Sequence, residues 1–378
     1  MSNAARVLIA DDQADVLEAL RLLLPREHFT TTLVTSPSAL VDQLRGATWD
    51  AILMDLNYSR GTTSGDEGLE LLARIRAERP NDPIIVMTAW GDIDLVVRAM
   101  RAGAQSFVQK PWDNRTLIQI LEREIADGRR ARDRTEHDRR EQQDARLIQR
   151  ALMPASLPET PRFRIAGAWQ PAGNIGGDCY DVMTFTPDAI GLSIADVAGK
   201  GLPAALLMSS LQASVRAFAG DSSAPRDVCD NVNRLLCGQM LAGRFATMAY
   251  LRMDAARRVI AYANAGHNPP LLVRSNGNVE SLTSTGTVLG VFVDTAYTGA
   301  EVPLEPGDRL LLYTDGITEL RSDHDEEFGE ERLSGALVRH RHLDATTLHA
   351  ELMNELRAFA PNGFQDDATL LVVEFRQA

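Results

Sequence analysis

The chain has 378 residues, enough for two or three domains, and 44% of them are hydrophobic, so a sizeable core can be buried. A formal net charge of -13 without a basic patch excludes a nucleic-acid binder for the chain as a whole. Only three cysteines, a start without an apolar h-region, and no uncharged apolar run of about 18 residues predict a cytoplasmic chain with neither disulfide framework nor membrane span.

From residue 6 to about 126, short apolar runs alternate with helical spacings. Residues 7–10, 51–54, 84–87 and 106–109 read as buried strands, and 14–24, 67–78 and 93–102 as helices. This βαβα order predicts a doubly wound parallel sheet with helices on both faces and ligands beyond the carboxyl ends of its strands. Residues from about 122 to 146 form a mixed-charge run that predicts an exposed helix. The sustained a/d stripe of a coiled coil is missing, and apolar spacing returns only at Leu147, Ile148, Ala151 and Leu152. Beyond Phe163, strand-like runs at 190–195, 248–253, 259–263, 310–313 and 370–375 dominate. Helical stretches come in blocks at 203–218, 226–241 and 346–359, and Ser275-Asn276-Gly277-Asn278 is a hairpin turn signal. This half reads as α+β. The expected organisation is a domain over 1–124, a charged helical linker over 125–153 and a second domain over 154–378.

Asp11 and Asp12 follow the strand at 7–10, and Asp55 follows the strand at 51–54. Carboxylates gathered at one crevice repel unless a cation joins them, and all-oxygen ligands favour Mg²⁺ or Mn²⁺. Thr88 and Lys110 end the next two strands, offering the hydroxyl and the ammonium that a phosphorylated carboxylate needs as partners.

At these residues the chain resembles a response-regulator receiver domain, over residues 6 to about 124. The resemblance implies a flavodoxin-like α/β fold and phosphorylation of Asp55 by a cognate histidine kinase. It implies that Asp11, Asp12, Asp55 and the backbone carbonyl of Asn57 hold Mg²⁺, and that Thr88 and Lys110 contact the phosphoryl group. Phe107 occupies the family's aromatic switch position. The stretch 58–66 is longer than the usual loop there and is expected to reach over the pocket.

The second half carries acids at spacings that no single element could gather. Asp178 follows Gly176-Gly177, Asp196 ends the strand at 190–195, Asp315 follows the strand at 310–313, and Asp366 and Asp367 precede the last strand. A sheet could gather all of them at one edge. Without a suitable Cys/His set they predict hard cations rather than zinc. Two such ions align water on a phosphate and neutralise its transferring oxygens. Gly199-Lys200-Gly201 lacks the earlier Gly and the following Ser or Thr of a phosphate loop. His267 reads as a structural histidine at a strand-ending turn, and Cys179 as packing.

The phrases GGDCYD, ADVAGKGLPAAL, NAGHNPPLL, LLYTDGITE and DDATLLVV, in this order, resemble the PPM family of metal-dependent serine/threonine phosphatases in its SpoIIE-like branch, from about residue 147 to 376. The resemblance implies a β-sandwich flanked by helices. It implies Asp178, Asp196, Asp315 and Asp366 as catalytic acids holding two Mn²⁺ or Mg²⁺, with Asp196 bridging them. The Val197 carbonyl and Asp367 are further candidate ligands. Water would attack phosphoserine or phosphothreonine directly, without a phosphoenzyme. No Arg near the first motif matches the one eukaryotic relatives use for phosphate. The resemblance also implies a phosphorylated STAS-domain anti-sigma-factor antagonist as substrate, in partner switching, and a homodimer. The second reading is a non-catalytic, phosphorylation-dependent binding regulator on a degenerate phosphatase fold, against which every mapped acid is present. Control is expected to pass through the charged helix, its end at 147–152 pressing on the helix after Gly201.

Overall fold

The computed structural model describes residues 4–58, 65–88, 93–240 and 243–377. Of the long stretch after Asp55, residues 59–64 lie outside the described residues. The chain divides into two compact units, residues 1–140 and 141–378.

In the first unit, β1 (Ala5–Ala10), α1 (Ala14–Leu23), β2 (Phe29–Val34), α2 (Pro37–Gly46), β3 (Ala51–Asp55), α3 (Asp66–Glu78), β4 (Ile84–Thr88), α4 (Ile93–Arg101), β5 (Ser106–Gln109) and the start of α5 (Asn114–Leu152) alternate. The strands make one parallel sheet in the order β2-β1-β3-β4-β5. Successive residues of a strand face opposite sides, so each strand feeds two cores. Ile52 and Met54 pack with α2, α3 and α4, whereas Ala51 and Leu53 pack with Leu17 and Leu20 of α1 and Leu117, Leu121 and Ile125 of α5. The edge strand β2, FTTTLV, buries only its end residues Phe29 and Val34, so it lacks the apolar run that marked its neighbours. α5 runs unbroken for 39 residues. Within this unit Arg129 Nε reaches Asp50 at 2.9 Å and Arg132 reaches Asp82 at 3.2 Å, fastening the helix where its apolar face ends.

In the second unit, β6 (Phe163–Gln170), β7 (Cys179–Thr186), β8 (Ala189–Val197), α6 (Leu202–Phe218), α7 (Pro225–Cys237), β9 (Ala246–Asp254), β10 (Val259–Ala265), β11 (Leu271–Val273), β12 (Val279–Ser281), β13 (Ala300–Pro303), β14 (Arg309–Tyr313), α8 (Asp315–Thr318), α9 (Gly329–Arg339), α10 (Ala345–Phe359) and β15 (Ala368–Phe375) follow. They form two antiparallel five-stranded sheets, β13-β10-β9-β8-β7 and β12-β11-β14-β15-β6. Leu310, Leu312, Leu371 and Val373 share a core with β8, β9, α6 and α7; Leu311, Tyr313, Leu370 and Val372 face the other way, onto α9 and α10. This is the expected sandwich with helices outside. The end of α5 departs from expectation: Leu147 and Ile148 are 66% and 65% exposed, while Gln149 and Met153 are buried. The reason is a polar one, a pair of hydrogen bonds available to Gln149 and to no aliphatic side chain.

Candidate functional site

The first unit gathers its acids at the carboxyl ends of β1 and β3. One carboxylate oxygen from each of Asp11, Asp12 and Asp55 lies within 4.8 Å of the others. Lys110 Nζ bridges two of them, 2.6 Å from Asp11 Oδ2 and 3.0 Å from Asp55 Oδ2. Burial raises the Asp55 pKa, Lys110 opposes it, and Asp11 adds to the rise. Asp12 Oδ1 and Asn57 Oδ1 are buried and have no hydrogen-bond partner among the described residues. Buried acceptors are rarely left orphaned, so the pocket fits a hard cation. Thr88 ends β4 and is buried, whereas Phe107 on β5 is 44% exposed.

In the second unit the expected acids come from four strand ends and line one pocket of about 370 Å³. Asp178 precedes β7, Asp196 closes β8, Asp315 follows β14, and Asp366 and Asp367 precede β15. The backbone of Val197 lies in the same wall, with Lys200, Phe245, Thr247 and Asn268. Packing is tight here: a Cβ on Gly177 would stand 2.7 Å from the Val197 carbonyl oxygen. Asp178 is fastened across the sandwich, since Thr314 and Thr369 both donate to its Oδ2, at 2.6 and 2.8 Å. Asp367 accepts from the Ala172 and Gly177 N–H groups at 2.9 and 2.6 Å. Lys200 Nζ lies 3.0 Å from Asp366 Oδ2. Asp178, Asp366 and Asp367 are thus each tethered to different partners. Among the described residues, this set does not draw three carboxylate oxygens as close together as the first unit does.

Electrostatics give the reason for expecting cations. Burial first, then the Asp315 carboxylate, raise Asp196 to about 7. Burial and Asp196 raise Asp178, against the two threonine hydroxyls, and burial with Asp366 raises Asp315. Crowded, half-neutralised carboxylates are the donor set that divalent cations relieve. Beneath them, His267 is buried, and burial lowers its pKa to about 4 against a smaller pull from the Tyr313 backbone. Its Nδ1 pairs with Thr247 Oγ1 at 2.8 Å, and Thr247 is the β9 residue opposite Asp196. Asn264 clamps the same turn, accepting from His267 N–H at 2.8 Å and donating to its carbonyl at 3.1 Å.

A family model described as Stage II sporulation protein E (SpoIIE) matches residues 186–376, half of the chain. The chain belongs to the SpoIIE family. A second model, the response regulator receiver domain, matches residues 7–122. The chain is similar to Protein IcfG of Synechocystis, 28% identical over 66% of this chain and 43% of that protein. It is also similar to the phosphoserine phosphatase RsbU of Bacillus subtilis, 32% identical over 47% of this chain and 53% of that one. The chain therefore spans about half the length of these curated relatives. Among solved structures, the SiaA-PP2C domain of Pseudomonas aeruginosa aligns with a TM-score of 0.56 and 26% identity, covering 65% of this chain and 98% of that domain.

Some site residues of this SpoIIE-family chain were not legible as such in the sequence. Thr314 and Thr369 each neighbour a strand-end acid or strand start, but nothing local says that both hydroxyls reach Asp178. Lys200 was set aside as a failed phosphate loop and lines the acid pocket nonetheless. Arg244 had no signal. Its Nη1 is buried, has no hydrogen-bond partner among the described residues, and passes over Gly199, where a Cβ would meet it at 2.9 Å. Gly199 also has φ +110, a conformation that favours glycine. No described helix is long and apolar enough to cross a membrane.

Proposed function

We propose that this chain is a two-component response regulator in which phosphorylation of Asp55 controls a metal-dependent phosphoserine/phosphothreonine protein phosphatase. The observation that carries this reading is the single pocket in which Asp178, Asp196, Asp315, Asp366 and Asp367 meet the Val197 backbone, in a SpoIIE-family chain. Bound there, two Mn²⁺ or Mg²⁺ would activate water and neutralise charge on the phosphate. Asp178, Asp196, Asp315 and Asp366 would hold them, together with the Val197 carbonyl. Thr314 and Thr369 orient Asp178, and Asp367 holds the Gly177 turn.

Substrate phosphate needs cations of the protein's own. The five carboxylates outweigh two divalent ions by one charge. Lys200, once displaced from Asp366, and Arg244 beside Gly199 reverse that balance in favour of a phosphate dianion. In the receiver, Asp11, Asp12 and the Asn57 carbonyl would hold Mg²⁺, Thr88 and Lys110 would meet the phosphoryl group on Asp55, and Phe107 would respond to it. A histidine kinase supplies the phosphoryl group. The substrate assigned by the resemblance is a phosphorylated STAS-domain anti-sigma-factor antagonist. A homodimer belongs to the same reading. The test is phosphate release from a phosphorylated STAS protein with Mn²⁺, with and without beryllofluoride on Asp55. Release that changes with beryllofluoride is expected; no release in either state refutes the reading.

A further inference from the structure

Gln149 belongs to the last turns of α5, where the helix turns its aliphatic residues outward and its amide inward. Burying an amide costs free energy unless its hydrogen bonds are made. Here they are made to one residue. Gln149 Nε2 donates to the Gly176 carbonyl at 2.5 Å, and Gly176 N–H donates back to Gln149 Oε1 at 3.0 Å. Two opposed bonds to the N–H and C=O of one residue fix its orientation as well as its position. The next N–H, that of Gly177, is held by Asp367, and the next side chain, Asp178, by Thr314 and Thr369. Residues 176–178 are therefore held from two sides by the strand ends and from the third by α5. A second tie holds the helix end itself: Gln212 Nε2 of α6 donates to the Leu152 carbonyl at 2.9 Å. The end of α5 thus does reach the helix after Gly201, as expected, but it also grips the first acid's turn.

We infer that Gln149 is a positioning residue for the metal-holding acids, an inference that rests on the phosphatase reading above. Its grip presets the Gly176–Asp178 turn, so the seating of the α5 C-terminal turns governs how tightly the pocket holds divalent cations. A shift of the helix end by about 1.5–2 Å breaks both bonds, since neither tolerates a separation much beyond about 3.5 Å. The same helix begins at Asn114, inside the receiver's match. The covalent link between the two matched regions therefore runs through the helix that carries Gln149.

The test uses the full chain carrying Gln149→Met, Gln149→Glu or Gln212→Met. Each is titrated with Mn²⁺ by calorimetry and assayed on para-nitrophenyl phosphate. Gln149→Met, which removes both bonds at similar volume, is expected to weaken Mn²⁺ binding about 10–100-fold. The Mn²⁺ needed for half-maximal turnover rises equally, while kcat at saturating Mn²⁺ stays within about threefold. Gln149→Glu keeps an acceptor for the Gly176 N–H but sets a carboxylate oxygen against the Gly176 carbonyl, so it too should weaken binding; it carries the same comparison if Gln149→Met does not fold. Gln212→Met removes the second tie without touching residue 176, so Mn²⁺ affinity should fall less than in Gln149→Met. Unchanged affinity in both Gln149 variants overturns the inference, and so does equal weakening by Gln212→Met, which would make Gln149 a mere anchor. A wild-type chain that binds Mn²⁺ but hydrolyses no phosphomonoester refutes the phosphatase reading instead, and calorimetry still decides the role of Gln149.

Discussion

Without divalent cations, the stability of this chain should fall as pH rises through neutrality, and Asp196→Asn should lessen that fall. Burial and Asp315 lift Asp196 from the ordinary 3.8 to about 7. The folded protein then holds this proton more tightly than the unfolded chain does. The resulting stability is complete below pH 3.8 and is lost as pH climbs through about 7. At ~1.4 kcal/mol per pH unit, the loss amounts to about 4 kcal/mol. Asp178 is raised in the same sense and interacts with Asp196, so the proton belongs to the pair. Metal loading reverses the trend, because carboxylates must ionise to bind it. Mn²⁺ affinity should therefore drop about fivefold from pH 7 to pH 6, with about one proton released per binding event at the lower pH. Thermal unfolding in chelator between about pH 5 and pH 8.5 measures the first effect. Mn²⁺ calorimetry in two buffers of different ionisation enthalpy counts the protons. The same pH slope in wild type and Asp196→Asn, with no proton release at the lower pH, would refute the reasoning.

Arg216→Met strands the buried Asp181 carboxylate, which Arg216 holds through two guanidinium nitrogens. Breaking a fully buried pair costs about 3–5 kcal/mol, but the Arg216 side chain is 55% exposed, so about 2 kcal/mol is expected by urea unfolding. Adding Asp181→Asn should recover most of it, and a double variant as unstable as the single one contradicts the assignment. Arg244→Ala should raise KM for phosphomonoesters and the inhibition constant of inorganic phosphate about tenfold while sparing Mn²⁺ affinity, as the loss of one charged hydrogen bond predicts. Unchanged inhibition by phosphate removes Arg244 from the site. His267 is held neutral, with its pKa lowered from 6.5 to about 4, so its contribution is present above the first value and lost as pH falls through the second. That is about 3 kcal/mol of acid sensitivity, which His267→Gln should lack in a comparison of melting at neutral and acid pH; an equal loss in both proteins counts against it.

The fold class was legible because buried strands and amphipathic helices carry different periods, and both halves keep theirs. The first unit's runs at 51–54 and 84–87 became central strands buried on both faces. The edge strand Phe29–Val34 escaped notice because one neighbour suffices there and its threonines face solvent or lie half-buried. The acids were legible for a different reason. Ligands gather at strand ends, so an Asp at the end of an apolar run announces itself without any knowledge of its partners.

What surrounds those acids was decided by tertiary structure alone. Thr314 and Thr369 lie more than fifty positions apart, and the β14–β15 pairing is what brings both hydroxyls onto Asp178. Arg244 reaches Gly199 only because β8 and β9 are neighbours. Gln149 stood in a polar helix beside aliphatic residues, and every local rule placed it outside and Leu147 and Ile148 inside. The fold reversed them, because a backbone turn beside Asp178 presents a carbonyl and an N–H that only an amide can satisfy together. Sequence by itself thus determined which carboxylates meet at the two sites and the kind of sheet that delivers them. Long-range pairing decided what holds those residues still, since hydrogen-bond complementarity is a property of positions in space and leaves no period along the chain.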